Sequence, residues 1–174
     1  NHIGLPLTVL AMPENTEIAV LEMGMSAKGE IDLLSRLANP DAAVITNIGE
    51  SHMQDLGSRE GIAEAKLEIN IGDEPLLQNA YSCQTKTYGT GAHNDYQLQD
   101  VSQSEEGTHF TIKGIENTFF IPILGKHNVM NAMAAIAAGA YFGITPEGAA
   151  KGLSGLKVTG MRLELIKTDS GLSI

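Results

Sequence analysis

The sequence predicts an α/β fold, a mostly parallel sheet flanked by helices with an antiparallel β meander added to it. Three observations lead to this prediction. Apolar runs alternate with helical patterns up to about Ile71, short segments separated by turns fill Lys86 to Leu124, and an alanine-rich apolar run begins at Asn128. Continuous apolar strands separated by helices are typical of a parallel sheet that is covered on both faces.

The first part of the chain should contain two strands and two helices. Glu17–Met23 and Ala42–Thr46 are apolar runs of strand length, and Glu30–Ala38 between them repeats with the period of a helix. A second helical pattern covers Glu60–Asn70. Because the strands alternate with helices, we expect them to be parallel.

The second part begins with three short segments that predict an antiparallel meander, namely Tyr96–Val101, Thr108–Lys113 and Thr118–Leu124. Two helices should follow the meander. Asn128–Phe142 is nearly all apolar, which predicts a buried helix. Thr145–Leu153 has threonine at the N-cap position and proline in the first turn, which are signals of a helix start.

Composition limits the classes of function. The 174 residues, 43% of them hydrophobic, suit one domain better than two. A net charge of -10 argues against binding to nucleic acid or to a membrane surface, since both need positive potential. Cys83 is the single cysteine, so a reducing, cytoplasmic setting is the simplest expectation. No apolar run reaches the roughly 18 residues of a membrane span, so we expect no membrane insertion.

Lys66 is the most informative residue, because the helical pattern puts it at the centre of an apolar face. An unpaired ammonium costs several kcal/mol to bury. Such a lysine therefore reaches water along its stem, finds a carboxylate, or becomes a neutral amine. A neutral amine can take up carbon dioxide and become a carbamate, which is a carboxylate-like ligand for magnesium. Ile62, Ala63, Ile69 and Asn70 share the face of Lys66, and Glu60, Glu64 and Glu68 lie opposite.

Polar residues follow the two predicted strands, where ligands collect in open parallel sheets. Glu22 ends the first strand, and Thr46 and Asn47 end the second, with His52 shortly after. A divalent metal would satisfy a carboxylate at such a position, so Glu22, His52 and a carbamylated Lys66 are candidate magnesium ligands. The alternatives are a helix N-cap or surface ion pair for Glu22, and a hydrogen-bonded loop histidine for His52.

A third candidate group lies where the meander meets the buried helix. Asn128 and Asn131 are three residues apart and share one face of the first helical turn. A carboxamide offers a donor and an acceptor side by side, which suits an adenine edge, and a helix N-terminus favours phosphate. Arg162, after a glycine-containing connection, could reach a ribose or phosphate. On the alternative interpretation Asn128 is an N-cap and Arg162 a surface residue.

These motifs occur in the order in which they are found in the central domain of the Mur ligases, which the chain resembles from Asn1 to about Leu165. The start of the chain and the Glu-Met-Gly strand end are similar to the member that adds D-alanyl-D-alanine to UDP-N-acetylmuramoyl-tripeptide. The matching segments are Asn1–Thr8, Glu22–Gly24, Gly29–Ile31, Ile45–Gly49, His52, Glu64–Lys66, Gly125–Asn128 and Asn131.

The resemblance implies a fold like that of P-loop NTPases and an ATP-dependent amide ligase of peptidoglycan synthesis that works through an acyl phosphate. It implies that Lys66 is carbamylated and that Glu22 and His52 bind magnesium, all three as catalytic residues. For ATP it implies that Asn128 and Asn131 lie on the adenine side. A superfamily ligase adding a single amino acid or glutamate, and a non-catalytic nucleotide-binding fragment, remain as alternatives.

The same resemblance implies ATP contacts for three more residues. Arg162 matches an arginine near the ribose or phosphates, and Thr46 and Asn47 match a loop that faces the phosphates. It also divides the chain into residues 1–160, an incomplete central ATP-binding domain, and residues 161–174, the start of a C-terminal ligase domain.

Two departures from the family pattern stand out. No Gly-Lys-Thr phosphate loop occurs in the sequence, so we expect these 174 residues to be inactive alone. The family pattern also places further helix and a strand after the lysine helix, whereas Asp73 follows Ile69 almost at once. We therefore expect roughly ten to twenty residues to be missing here, since a strand needs about five.

Overall fold

The structure, a computed structural model, describes residues 1–24, 29–46, 67–74 and 83–157. The chain forms two compact units, Asn1–Thr87 and Tyr88–Ile174. Within the described ranges there are four helices and six strands. None of the helices in these ranges is long and apolar enough to cross a membrane.

The first unit contains helices α1 (Gly4–Leu10) and α2 (Glu30–Ala38), which pack against each other. The side chain of Asn1 accepts hydrogen bonds from the backbone N–H groups of Ile3 and Gly4, at 3.1 and 2.6 Å, and so satisfies donors at the start of α1. The predicted helix Glu30–Ala38 is confirmed. Helix α1 was not predicted from the sequence.

Strands β1 (Ala42–Ile45) and β2 (Leu67–Ile71) form a parallel pair in the first unit. Ala42 pairs with Leu67 and Ile45 with Asn70, so the carboxyl ends of both strands lie at the same edge. The predicted strand at Ala42–Thr46 is thereby confirmed, apart from its last residue.

Two expectations for the first unit are wrong. Glu17–Met23 forms no strand and is irregular throughout. The helix predicted over Glu60–Asn70 is wrong for its described part, because Leu67–Asn70 pair with β1 and bury Ile69 completely; residues 60–66 lie outside the described residues. The turn at Gly72 and Asp73 follows β2 directly.

The second unit contains the meander and two helices. Strand β3 (Gln84–Gly89) was not predicted from the sequence. Its last two residues, Tyr88 and Gly89, belong to the second unit and pair in parallel with the start of β4 (Tyr96–Ser104). The remaining strands are antiparallel, as predicted. The elements that follow β4 are β5 (Gly107–Ile112), β6 (Thr118–Ile121), α3 (Lys126–Tyr141) and α4 (Pro146–Ser154).

Aromatic and aliphatic side chains fill the core of the second unit. Phe110 and Phe119 stack across β5 and β6 with ring centroids 5.4 Å apart. Helix α4 packs against β6 and α3. Thr145 accepts a hydrogen bond from the Gly148 N–H at 3.2 Å, which confirms the predicted N-cap. The predicted helix Asn128–Phe142 is confirmed as α3, which buries Val129, Ala132, Met133, Ala134, Ile136 and Ala137.

Gly107 at the start of β5 predicts a specific loss of stability. Its φ is 151°, and a Cβ there would collide with the Ile121 carbonyl oxygen and lie 2.9 Å from the Phe120 ring. We expect Gly107→Ala to lower the free energy of unfolding by about 3 kcal/mol or more. Gly114, with φ of 81° and open space around it, is the matched control. Gly114→Ala should cost roughly 1–2 kcal/mol. Equal losses in urea titrations would contradict the collision.

Tyr88 predicts a pH dependence of stability. Its side chain is 0% exposed, and burial raises the pKa of its hydroxyl from 10.0 to about 12. The pKa of the Tyr88 hydroxyl is higher in the folded protein than in the unfolded chain, so ionisation favours unfolding. The contribution of neutral Tyr88 to the free energy of unfolding is therefore complete below about pH 10 and is lost as the pH rises towards 12. The free energy of unfolding should therefore fall over this range more steeply for the native chain than for Tyr88→Phe. Parallel pH profiles of the two proteins would contradict the assignment.

Candidate functional site

The carboxyl edge of the β1–β2 pair carries the first of the predicted site residues. Thr46 directly follows β1, and its side chain is exposed. Since Ile45 pairs with Asn70, Thr46 lies at the edge where the next residue of β2 is Ile71. The threonine hydroxyl is therefore accessible at the edge where parallel sheets bind ligands. Asn47, the next predicted residue, lies outside the described residues.

Glu22 lies in the irregular segment that precedes α2, and its side chain is exposed. The sequence argument had placed it at the end of a buried strand, where a charged partner would be needed to offset desolvation. An exposed carboxylate is solvated by water, so burial no longer gives a reason to expect a charged partner for Glu22. Glu22 remains an accessible oxygen ligand for a cation.

The predicted metal site is only partly within the structure, since His52 and Lys66 lie outside the described residues. The structure does describe Leu67, the residue that follows Lys66. Leu67 pairs with Ala42 at the amino edge of the β1–β2 pair, whereas Thr46 follows the carboxyl edge. These edges are separated by the length of β1, about 13 Å for four residues. In the described ranges, no group of three or more His, Cys, Asp or Glu side chains could hold a metal ion.

Asn128 and Asn131 lie in the first two turns of α3, as predicted. The N-cap is Gly125, with φ of 105°, and a Cβ there would lie 2.9 Å from the His127 ring. Asn128 is half-buried and donates a hydrogen bond from Nδ2 to the Leu124 carbonyl at 2.8 Å. This bond closes the turn from β6 into α3 and leaves Oδ1 as an acceptor. The side chain of Asn131 is exposed.

The sequence analysis missed a buried polar pair in β2. Glu68 and Asn70 are each 1% exposed, and Asn70 donates from Nδ2 to Glu68 Oε1 at 2.9 Å. The helical period had placed Glu68 on a solvated face opposite Lys66. A period of two residues over Leu67–Ile71 would have put Glu68 and Asn70 together on one face of a strand. Arg162 lies outside the described residues.

The chain belongs to the Mur ligase middle domain family, because the model of that family matches residues 1–139. It is 92% identical to the UDP-N-acetylmuramoyl-tripeptide--D-alanyl-D-alanine ligase of Bacillus subtilis, over all of this chain and 40% of that protein. The enzyme of the same name from Haemophilus influenzae is 33% identical over 83% of this chain and 35% of its own length.

Solved structures agree with the fold. The chain is similar to MurF from Acinetobacter baumannii, with a TM-score of 0.82 and 27% identity over 97% of this chain and 41% of that one. MurF from Thermotoga maritima, crystallised in complex with ADP, gives 0.79 and 25% identity over 95% and 42% of the two chains. The predicted fold class is therefore confirmed.

The relatives also show how much of a longer protein this chain matches. It spans about 40% of the length of the Bacillus subtilis enzyme. Within the matched region, that alignment extends over 185 positions, eleven more than the 174 residues of this chain. The relative therefore has eleven additional positions inside the shared region, a number within the roughly ten to twenty residues that were expected to be missing.

Asn128 predicts a stability effect that separates its structural role from any role in binding. Asn128→Ala removes the hydrogen bond to the Leu124 carbonyl and should lower the free energy of unfolding by about 1 kcal/mol. Asn131→Ala, an exposed position on the same helix, is the matched control and should change it by less than about 0.5 kcal/mol. Denaturant titrations measure both. Equal effects at the two positions would show that the Asn128 bond contributes nothing.

Proposed function

We propose that the whole protein is an ATP-dependent amide ligase that joins D-alanyl-D-alanine to UDP-N-acetylmuramoyl-tripeptide in the cytoplasm, during peptidoglycan synthesis. The observation that carries this proposal is the 92% identity, over the complete chain, to the Bacillus subtilis enzyme of that name. Relatives with the same name from other bacteria support the same member of the family. Residues 1–160 are then its middle, ATP-binding domain, and residues 161–174 start the C-terminal domain.

The proposed reaction needs ATP because a carboxylate is a poor electrophile. The terminal carboxylate of the tripeptide attacks the γ-phosphate, forming an acyl phosphate and releasing ADP. The amine of D-alanyl-D-alanine then attacks the acyl carbon, giving a tetrahedral intermediate from which inorganic phosphate leaves. Positioning and charge neutralisation supply most of the catalysis in such phosphoryl transfers.

For the nucleotide, the start of α3 offers the most complete set of described groups. Asn128 keeps Oδ1 as an acceptor for a donor such as the adenine amino group, and Asn131 is exposed one turn further on. Lys126 and His127 in the first turn are exposed, and helix N-termini favour anions. Thr46, Asn47 and Arg162 complete the proposed ATP contacts. The ADP complex of the Thermotoga maritima protein, a structural neighbour, supports a nucleotide site in this fold.

For the metal, the proposed ligands are Glu22, His52 and a carbamylated Lys66. The exposed carboxylate of Glu22 fits a hard cation, and a carbamate would add a second oxygen ligand. Histidine is a less usual ligand for magnesium. When bound, magnesium would neutralise charge on the phosphates during transfer. The chain's own contribution is to supply these oxygen ligands and to hold the nucleotide.

Lys66→Ala in the full-length ligase tests this assignment. We expect ligation to fall roughly 10²-fold or more, because the charge-neutralising site would lose a ligand. Short carboxylic acids should restore part of the activity by replacing the carbamate. Lys113→Ala, at an exposed lysine, is the matched control and should retain full activity. Full activity of the Lys66→Ala protein, measured as phosphate release dependent on D-alanyl-D-alanine, would reject the carbamate.

A further inference from the structure

Two side chains from different elements hold the turn between β6 and α3. Thr108 of β5 donates from its hydroxyl to the Ile123 carbonyl at 2.8 Å. Asn128 of α3 donates from Nδ2 to the Leu124 carbonyl, also at 2.8 Å. The two acceptors are consecutive carbonyl groups, and Gly125, the N-cap of α3, follows them directly. The start of α3 is therefore fixed by a strand on one side and by its own first turn on the other.

Thr108 is buried at the point where the pairing between β5 and β6 ends. It is 0% exposed and pairs with Ile121, the last residue of β6. Pro122 follows and has no backbone N–H to donate to β5. The Thr108 hydroxyl instead reaches the Ile123 carbonyl, beyond the end of the strand. Because a buried hydroxyl needs a hydrogen-bond partner, this bond ties the path of the turn to β5.

The position of this turn sets the orientation of the Asn128 amide. Nδ2 donates to the Leu124 carbonyl, and Oδ1 of the same planar group remains an acceptor. A displacement of the Leu124 carbonyl would therefore rotate Oδ1 as well. Thr108 holds the neighbouring Ile123 carbonyl, and the planar peptide between the two residues transmits its position to Leu124.

We propose that Thr108 is a positioning residue for the adenine side of the nucleotide site: it fixes the turn so that Asn128 Oδ1 accepts a hydrogen bond from the adenine amino group. Thr108 is fully buried and acts through the turn, without touching the nucleotide. The inference rests on the proposed function, in which ATP binds at the start of α3. It predicts a preference for adenine over hypoxanthine, because hypoxanthine has a carbonyl, which cannot donate, in place of the amino group.

Calorimetric titration of the full-length ligase with ADP and with inosine diphosphate tests this role. Thr108→Val keeps the shape of the side chain and removes the donor. It should weaken ADP binding about tenfold and leave inosine diphosphate binding unchanged, because only ADP donates to Oδ1. Thr108→Ser keeps the hydroxyl and should retain the native preference for ADP. Thr108→Cys, whose thiol is a weaker donor, should have a preference between those of the serine and valine variants.

Thr111→Val is the matched control on the same strand. The Thr111 hydroxyl hydrogen-bonds to Asp100, and Thr111 pairs with Thr118, at the end of β6 that is distant from the turn. This variant should lose a hydrogen bond and keep the native preference for ADP.

Equal weakening of both nucleotides in Thr108→Val, or weakening of neither, would overturn the role of Thr108. Equal affinity of the native ligase for ADP and inosine diphosphate would overturn it too. If Thr108→Val failed to fold, identical preferences in Thr108→Ser and Thr108→Cys would decide against it. A native ligase that bound neither nucleotide would instead reject the proposed function, and this inference with it.

Discussion

The parallel pairing of β1 with β2 is the constraint on which the first unit depends. It gives the sheet a defined carboxyl edge, where Thr46 is exposed, and it buries Ile69. It also fixes Leu67 beside Ala42, so that the residue after Lys66 is at the amino edge. The proposed metal site needs Lys66 near Glu22 and the phosphates. Lys66 itself lies outside the described residues.

Sequence patterns predicted the elements whose signals are local. The Thr145 cap, the apolar face of α3, the pattern of α2 and the alternation of the meander strands depend on neighbours within a few residues. The wrong predictions concern segments whose conformation depends on a partner that is distant in the sequence. Glu17–Met23 has a strand composition, but a strand exists only when another strand pairs with it. Residues 67–70 have a helical period, but β1 is available as a partner and the strand forms.

The sequence predicted where two candidate site residues lie along the elements, but not the contacts that they make. Asn128 and Thr46 are near the element ends where the sequence put them. The hydrogen bond from Asn128 to Leu124, and the burial of Glu68 with Asn70, depend on how a turn closes and which strand face is covered. Neither follows from periodicity. Family membership rests on the match of the family model to residues 1–139.

The proposed ligase would activate the tripeptide carboxylate as an acyl phosphate, and isotope transfer tests this step most directly. The full-length enzyme would be supplied with ATP, D-alanyl-D-alanine and a tripeptide substrate whose terminal carboxylate carries heavy-isotope oxygen. One labelled oxygen should appear in each inorganic phosphate released, because the carboxylate oxygen that attacks the γ-phosphate leaves with it. Unlabelled phosphate, or label found in AMP, would contradict activation by γ-phosphoryl transfer.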